Sequence, residues 1–387
     1  MRKRYLILFI LFACYTGAMA EAYLEYKLKE DIKDGKLDNF SKPQAAFILS
    51  GATQQDSLAK YMDWYNNLVD ALKAYNFDPF EREQKAASIF AYLHSNWLIE
   101  YKEMATTLLD VVKEKRFNCV AGTILFNLIC EDMDLETEAF ETPTHTYTIF
   151  KNFDRQFTVE NTSGMGFNIM QNLREYTRYL RQFYPDDQTY KIGLDRLYAY
   201  ENSNGRQINN TELLGLLAYN RAYLARENND FSAAYDYVTL AQYFNADSRS
   251  NINFEINLYQ TWAYKLYELK RYDRAFQVYA DACYRYPDID EFKKNTVILF
   301  FKAQDQNWRD KNWQSTNKLT LTALDRGILS DEELSELEKK MGNWGNYALS
   351  NHKKELANEV AMLWAEINKD SKYLAGYLQA IQPLNRQ

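Results

Sequence analysis

Residues 115–129 read Lys115-Arg116-Phe117-Asn118-Cys119-Val120-Ala121-Gly122-Thr123-Ile124-Leu125-Phe126-Asn127-Leu128-Ile129, a polar entry that becomes an apolar run at the cysteine. Because the run is apolar nearly all round, it predicts a helix buried on every side. Upstream, Leu58, Met62, Tyr65, Leu68, Val69 and Leu72 recur at helical spacing over 57–76, Asp78-Pro79 breaks the pattern, and a second helix is expected over 81–98. A third periodic stretch, 104–113, leads into the cysteine segment. Beyond Asp134 come three β-prone segments, around Thr137 to Phe140, Thr146 to Phe150 and Gln156 to Glu160, split by Pro143 and by 152–154. The N-terminal half is therefore expected to be α+β, with helices packed on an antiparallel sheet.

The second half repeats itself. Asn229-Asp230-Phe231-Ser232-Ala233-Ala234, with Val238 and Ala241, matches Arg271-Tyr272-Asp273-Arg274-Ala275, with Tyr279, Ala282 and Pro287. Ala222 and Ala263 hold the small-residue position of the helix before each. These stretches resemble the second helix of a tetratricopeptide repeat, whose small residues let paired helices approach. The spacing from Ala234 to Ala275 is longer than that family's usual 34 residues, which implies an insertion near 247–253. Helical segments continue through Ser330-Asp331-Glu332-Glu333, which has capping-box spacing, and 351–367. The resulting organisation is an export signal over 1–20, an α+β domain over 21–170, a tyrosine-rich connector over 171–205 and an all-α helical repeat array over 206–387. Such an array would offer a concave surface to a partner protein or extended peptide.

Bulk composition agrees with two packed domains. A chain of 387 residues, 47% hydrophobic, has only 13 glycines and 6 prolines but 31 tyrosines and 22 phenylalanines, a balance suited to helices that use aromatic rings as knobs. The net charge of −7 is spread over interleaved acids and bases, with no basic face for a nucleic-acid backbone. Residues 1–20 have the parts of an export signal: Arg2, Lys3 and Arg4, an apolar run, then Ala18-Met19-Ala20 as a cleavage site. The protein is expected in the periplasm or secreted, without a transmembrane segment after cleavage. Leu11-Phe12-Ala13-Cys14 loosely resembles a lipobox, which makes a lipid anchor on Cys14 the competing reading. Three further cysteines remain, Cys119, Cys130 and Cys283, an odd number. Cys119 and Cys130 on one helix would lie roughly 16 Å apart, beyond disulfide reach.

Three residues can carry chemistry together: Cys119 at a helix start, His145 on the first strand of the sheet and Glu160 at the end of the next. A thiol attacks as thiolate, and a helix N-terminus beside an imidazole favours the anion. Histidine then carries the proton, and a carboxylate on its far nitrogen fixes the tautomer and stabilises the imidazolium. A turn near 152–155 would bring the two strands back side by side. The segments Arg116-Phe117-Asn118-Cys119-Val120-Ala121-Gly122, Thr142-Pro143-Thr144-His145-Thr146-Tyr147 and Val159-Glu160-Asn161-Thr162 resemble, in order and spacing, the motifs of the transglutaminase-like, papain-related thiol enzymes over about 81–165. The resemblance implies a Cys119, His145, Glu160 triad. Phe117 replaces the glycine common two residues before the cysteine, and Glu160 replaces the usual aspartate.

Asn118 and the Cys119 backbone amide are candidate oxyanion donors. Asn161 could orient the histidine but should point to the opposite strand face from Glu160, and Tyr101 sits where the family often has an aromatic residue. His94 is expected to be a packed or surface histidine, His352 a solvated one, and Cys130 and Cys283 core residues. No metal-ligand spacing and no phosphate loop occurs, so no cofactor is expected. These readings lead to an exported thiol hydrolase or acyl-transferase acting on amide bonds of a peptide, protein or cell-wall peptide. Its rival is an inactive adaptor in which only the helical array works.

Overall fold

The computed structural model describes residues 23–78, 81–169, 181, 203 and 205–385. The expected signal over 1–20, Cys14 and nearly all of the connector lie outside the described residues. Compact packing divides the chain into one unit ending at Phe254 and a second running from Glu255 to Gln387.

The first unit opens with α1 (Tyr23–Asp31) and a 3-10 turn (Ile32–Asp34), then α2 (Lys42–Leu49), α3 (Gln55–Lys73) and α4 (Arg82–Asn96). Ser41 and Gln44 form a reciprocal capping box at the start of α2, with Pro43 in its first turn. Next come β1 (Glu100–Tyr101), α5 (Leu108–Glu114), β2 (Arg116–Phe117) and α6 (Cys119–Asp132). β1 and β2 pair in parallel, with Tyr101 opposite Phe117. Helix α6 is the axis of this unit: every residue from Val120 to Cys130 is buried, as its all-round apolar sequence requires.

The sheet follows as β3 (Glu136–Glu141), β4 (Thr146–Asn152) and β5 (Arg155–Val159), and β6 (Arg206–Ile208) joins at the other edge of β3. All neighbours are antiparallel in the order β5-β4-β3-β6. The β4–β5 hairpin closes at Asn152 and Arg155, with Phe153 in the left-handed region that lets so short a turn form. The sequence placed His145 on the first strand; instead it lies one residue ahead of β4, the second strand, in the turn that Thr142 closes. Strand β6 and the short β1–β2 pair have sequences too brief for an alternation signal and were not foreseen.

Helices α7 (Asn210–Glu227) and α8 (Phe231–Phe244) complete the unit. Their pairing uses the small residues Ala222, Ala234 and Ala241, all fully buried. Sequence spacing assigned this pair to the array beginning at 206. It belongs instead to the first unit, because α7 packs on α2, α6 and β3, and Asn210 at its start bonds Asn127 of α6. An apolar face flanked by polar residues shows that a helix is covered, not which neighbour covers it.

Helix α9 (Arg249–Glu268) runs into the second unit, which continues as α10 (Tyr272–Arg285), α11 (Asp290–Arg309), α12 (Trp313–Asp325), α13 (Asp331–Ser350), α14 (Lys354–Asn368) and α15 (Lys372–Asn385). Within it, successive helices pack in pairs, α10 on α11 and α13 on α14 among them. Ala263, Ala275, Ala282 and Ala303 are buried at the close approaches. Ser330 caps α13 with the Glu333 partner that its sequence announced. The unit is a repeat-like helical array, and the whole chain is α+β followed by all-α. Among the described residues no helix is long and apolar enough to cross a membrane.

Candidate active site

Cys119 is the first residue of α6, half-buried and a free thiol. Asn118 is the N-cap: its Oδ1 accepts the Ala121 N–H at 3.0 Å while its Nδ2 donates to the Glu103 carbonyl at 3.3 Å. The Asn118 side-chain amide is thus committed to holding the loop. The Cys119 N–H, at a position with no intrahelical acceptor, remains the better oxyanion donor of the two.

Opposite the thiol, β4 and β5 bring the other two residues together. Their register pairs Thr148 with Val159, and continuing it puts Glu160 opposite Tyr147, two residues from His145 and on the same face. His145 Nε2 and Glu160 Oε2 are 2.9 Å apart. The second carboxylate oxygen accepts the Thr162 hydroxyl at 2.6 Å and the Thr162 N–H at 3.0 Å. The Glu160 side chain is only 2% exposed, so these bonds replace lost water. Burial opposes a charge on His145, but the Glu160 carboxylate and the neighbouring Cys119 outweigh it, and the imidazole is held above its ordinary value. With Nε2 on Glu160, the other ring nitrogen is the one left for the thiol. Cys119, His145 and Glu160 therefore meet in one site.

Asn161 lies on the other face, fully buried. Its Nδ2 donates to Thr148 Oγ1 at 2.9 Å and to Thr123 Oγ1 at 3.3 Å, and Thr148 Oγ1 in turn donates to Asn127 Oδ1 at 2.5 Å. This buried polar line ties α6 to β4 and to the turn after β5. It fixes the height of the cysteine relative to the histidine and the acid, so Asn161 acts on the helix rather than on His145. Gly122 allows the close approach: a Cβ there would stand 3.1 Å from Phe117 Cδ2 and 3.4 Å from Asn161 Cβ.

Tyr101 is 38% exposed and meets Phe117 edge-on at 5.9 Å between ring centroids. Burial, reinforced by the negative charges possible on Cys119, Glu103 and Glu160, pushes its hydroxyl up, which keeps it a neutral hydrogen-bond donor at the mouth of the site.

His94 is packed, one of the two settings expected of it, and the structure adds what it packs against. Its ring lies 4.4 Å from that of Phe90 and 5.9 Å from that of Phe117, and it faces the turn at Gly164, behind the acid. A lone histidine near the end of an amphipathic helix gives no signal of this. Burial, only partly offset by the Leu98 carbonyl and the Glu160 charge, holds it down at about 4, against an ordinary 6.5. The folded state thus prefers neutral His94, and stability falls as pH drops from 6.5 towards 4 and then levels off. Comparing urea midpoints at pH 7 and 4.5, His94→Phe is expected to spare about 2 to 3 kcal/mol of the acid-induced loss that wild type suffers.

Among the described residues no group of three His, Cys, Asp or Glu is placed to hold a metal ion. No family model matches this chain. No curated protein matches it either. Among solved structures it is similar to menin, whose crystal structure is titled as revealing the binding site for Mixed Lineage Leukemia protein. That similarity has a TM-score of 0.33 at 12% identity, over 92% of this chain and 89% of the other. A likeness so slight carries no argument about fold or function.

Proposed function

We propose that this chain is an exported thiol hydrolase or acyl-transferase of transglutaminase-like type, acting on amide bonds of a peptide, protein or cell-wall peptide, with tetratricopeptide-like helices that bind a partner protein. The observation that supports it most is the 2.9 Å bond between His145 Nε2 and Glu160 Oε2, on an imidazole that neighbours a thiol at a helix N-terminus. The Cys119 thiolate attacks the carbonyl carbon, and the Cys119 N–H receives the developing oxyanion. The C–N bond breaks as His145 gives its proton to the leaving amine. Water, or a second amine, then displaces the thiolate from the thioester, with His145 taking the proton of the attacking group. Throughout, Glu160 keeps the imidazole oriented and offsets its charge.

The two departures from the family motif are compatible with this chemistry. Glu160 reaches His145 at ordinary hydrogen-bond length, and Phe117, 2% exposed, forms a packed floor under Tyr101 and His94. The test uses p-nitrophenyl acetate as a minimal acyl donor and casein as an amide substrate. Release of p-nitrophenolate by wild type, absent in Cys119→Ala, together with Cys119-dependent cleavage of casein or its labelling by a primary amine, supports the proposal. Equal, slow release by both proteins overturns it and leaves the adaptor reading.

A further inference from the structure

Strand β3 ends at Glu141, and the turn that follows carries His145. Thr142 grips that turn at both ends: its N–H donates to the His145 carbonyl at 2.8 Å, and its hydroxyl oxygen accepts the His145 N–H at 2.9 Å. Whatever fixes Glu141 therefore fixes the backbone of the histidine four residues on.

Glu141 is itself 5% exposed, where an unmatched carboxylate would cost several kcal/mol. Its partners come from far along the chain. Ser248 Oγ donates to Oε1 at 2.7 Å, Asn245 Nδ2 donates to Oε2 at 3.0 Å, and Arg206 Nε lies 3.5 Å from Oε2. Arg206 continues to Glu212 Oε1 at 3.1 Å and to Asn245. Asn245 and Ser248 are fully buried in the elbow between α8 and α9, which is braced by Asn251 through the Ser248 hydroxyl and the Asn245 carbonyl. That elbow ends within the 247–253 stretch where the sequence spacing implies an insertion.

A leucine at 141 would join strand to elbow with no charge to neutralise, and apolar replacements of buried ionic groups are often neutral or stabilising. A directional carboxylate with three partners is thus poorly explained by packing alone. It does explain a fixed direction for the chain entering the histidine turn. We propose that Glu141, Asn245, Ser248 and Arg206 form a clamp of positioning residues that sets His145 against Cys119, so that the elbow after the first helical pair belongs to the machinery of the site. The inference rests on the catalytic reading above, but its main readout does not.

The chain has only three histidines, so the His145 imidazole signal in a two-dimensional NMR titration is assigned by its loss in His145→Gln. In Ser248→Ala and Glu141→Leu the His145 titration midpoint is expected to fall, and alkylation of Cys119 by iodoacetamide at pH 7 to slow about 5- to 10-fold. Glu141→Gln, which keeps hydrogen bonds to Ser248 and Asn245, should restore most of both. Should Glu141→Leu fail to fold, Ser248→Ala carries the test, since it removes one hydroxyl. Cooperative melting with an unmoved His145 titration and unchanged alkylation in Ser248→Ala would overturn the clamp. Alkylation already independent of His145 in wild type would instead sink the catalytic reading, while the titration would still decide the clamp.

Discussion

Replacing His145 with alanine is expected to lower p-nitrophenyl acetate turnover at pH 7 at least about 100-fold, the usual scale for loss of a positioned proton carrier. It is also expected to slow alkylation of Cys119 by iodoacetamide about 10-fold at the same pH. The thiolate is the attacking form of a cysteine, and the His145 imidazole is the group placed to take the proton from Cys119. The pH dependence carries its own sign. Since the folded state holds the imidazole above its ordinary 6.5, the stabilisation from the charged histidine is complete below that value and is lost as pH rises through the raised one. The two alkylation rates should therefore diverge most near neutrality and converge in alkali, where any thiol ionises unaided. A constant ratio across pH would mean that His145 affects access to the thiol and not its protonation.

Gly166→Ala should be the most damaging small substitution near the site. The turn after β5 doubles back so tightly that a Cβ at 166 would stand 1.9 Å from the Glu160 carbonyl oxygen and 2.8 Å from that of Ser163. Neither is the end of a flexible side chain. Backbone must move, and the bond from Glu160 N–H to the Gly166 carbonyl, 3.0 Å long, goes with it. The expected cost is about 2 to 3 kcal/mol of stability, read from urea midpoints. A larger effect falls on chemistry, because the displaced residue is the acid itself: turnover should drop by more than the shift in folding equilibrium can explain at a temperature where the variant is still folded. A variant that loses stability but keeps full turnover would show that the acid is held by Thr162 alone.

The elements that carry the site were legible because their signals are local. An apolar run closed on all sides gave α6, β-prone composition gave β4 and β5, and the Asn152 to Arg155 turn gave their pairing, so Cys119, His145 and Glu160 could be brought together on paper. The capping spacing at Ser330 likewise announced α13. What could not be read was contact between distant segments. Nothing in the neighbourhood of Asn245 and Ser248 says that they will meet Glu141, more than a hundred residues earlier, and periodicity only marked the elbow as an irregularity. The same limit hid the attachment of α7 and α8 to the first unit and the seat of His94 behind the acid turn. Asn118 was correctly placed at the helix start, but its competing bond to the Glu103 carbonyl, which removes it as an oxyanion donor, depends on a loop that no pattern fixes.

Helix α6 carries two thiols, eleven residues apart, in opposite circumstances. Cys119 opens the helix beside the imidazole, while Cys130 is fully buried near its other end, where burial pushes its thiol up and out of reach of reagents. An element enclosed on every side exposes its interior only when the surrounding unit opens, so reagent access to Cys130 tracks the rare, wholly opened molecules that also govern proteolysis. One helix thus holds a gauge of reactivity at its first residue and a gauge of lifetime near its last, and the two can be followed in a single mass spectrum of the alkylated chain without introducing a new residue.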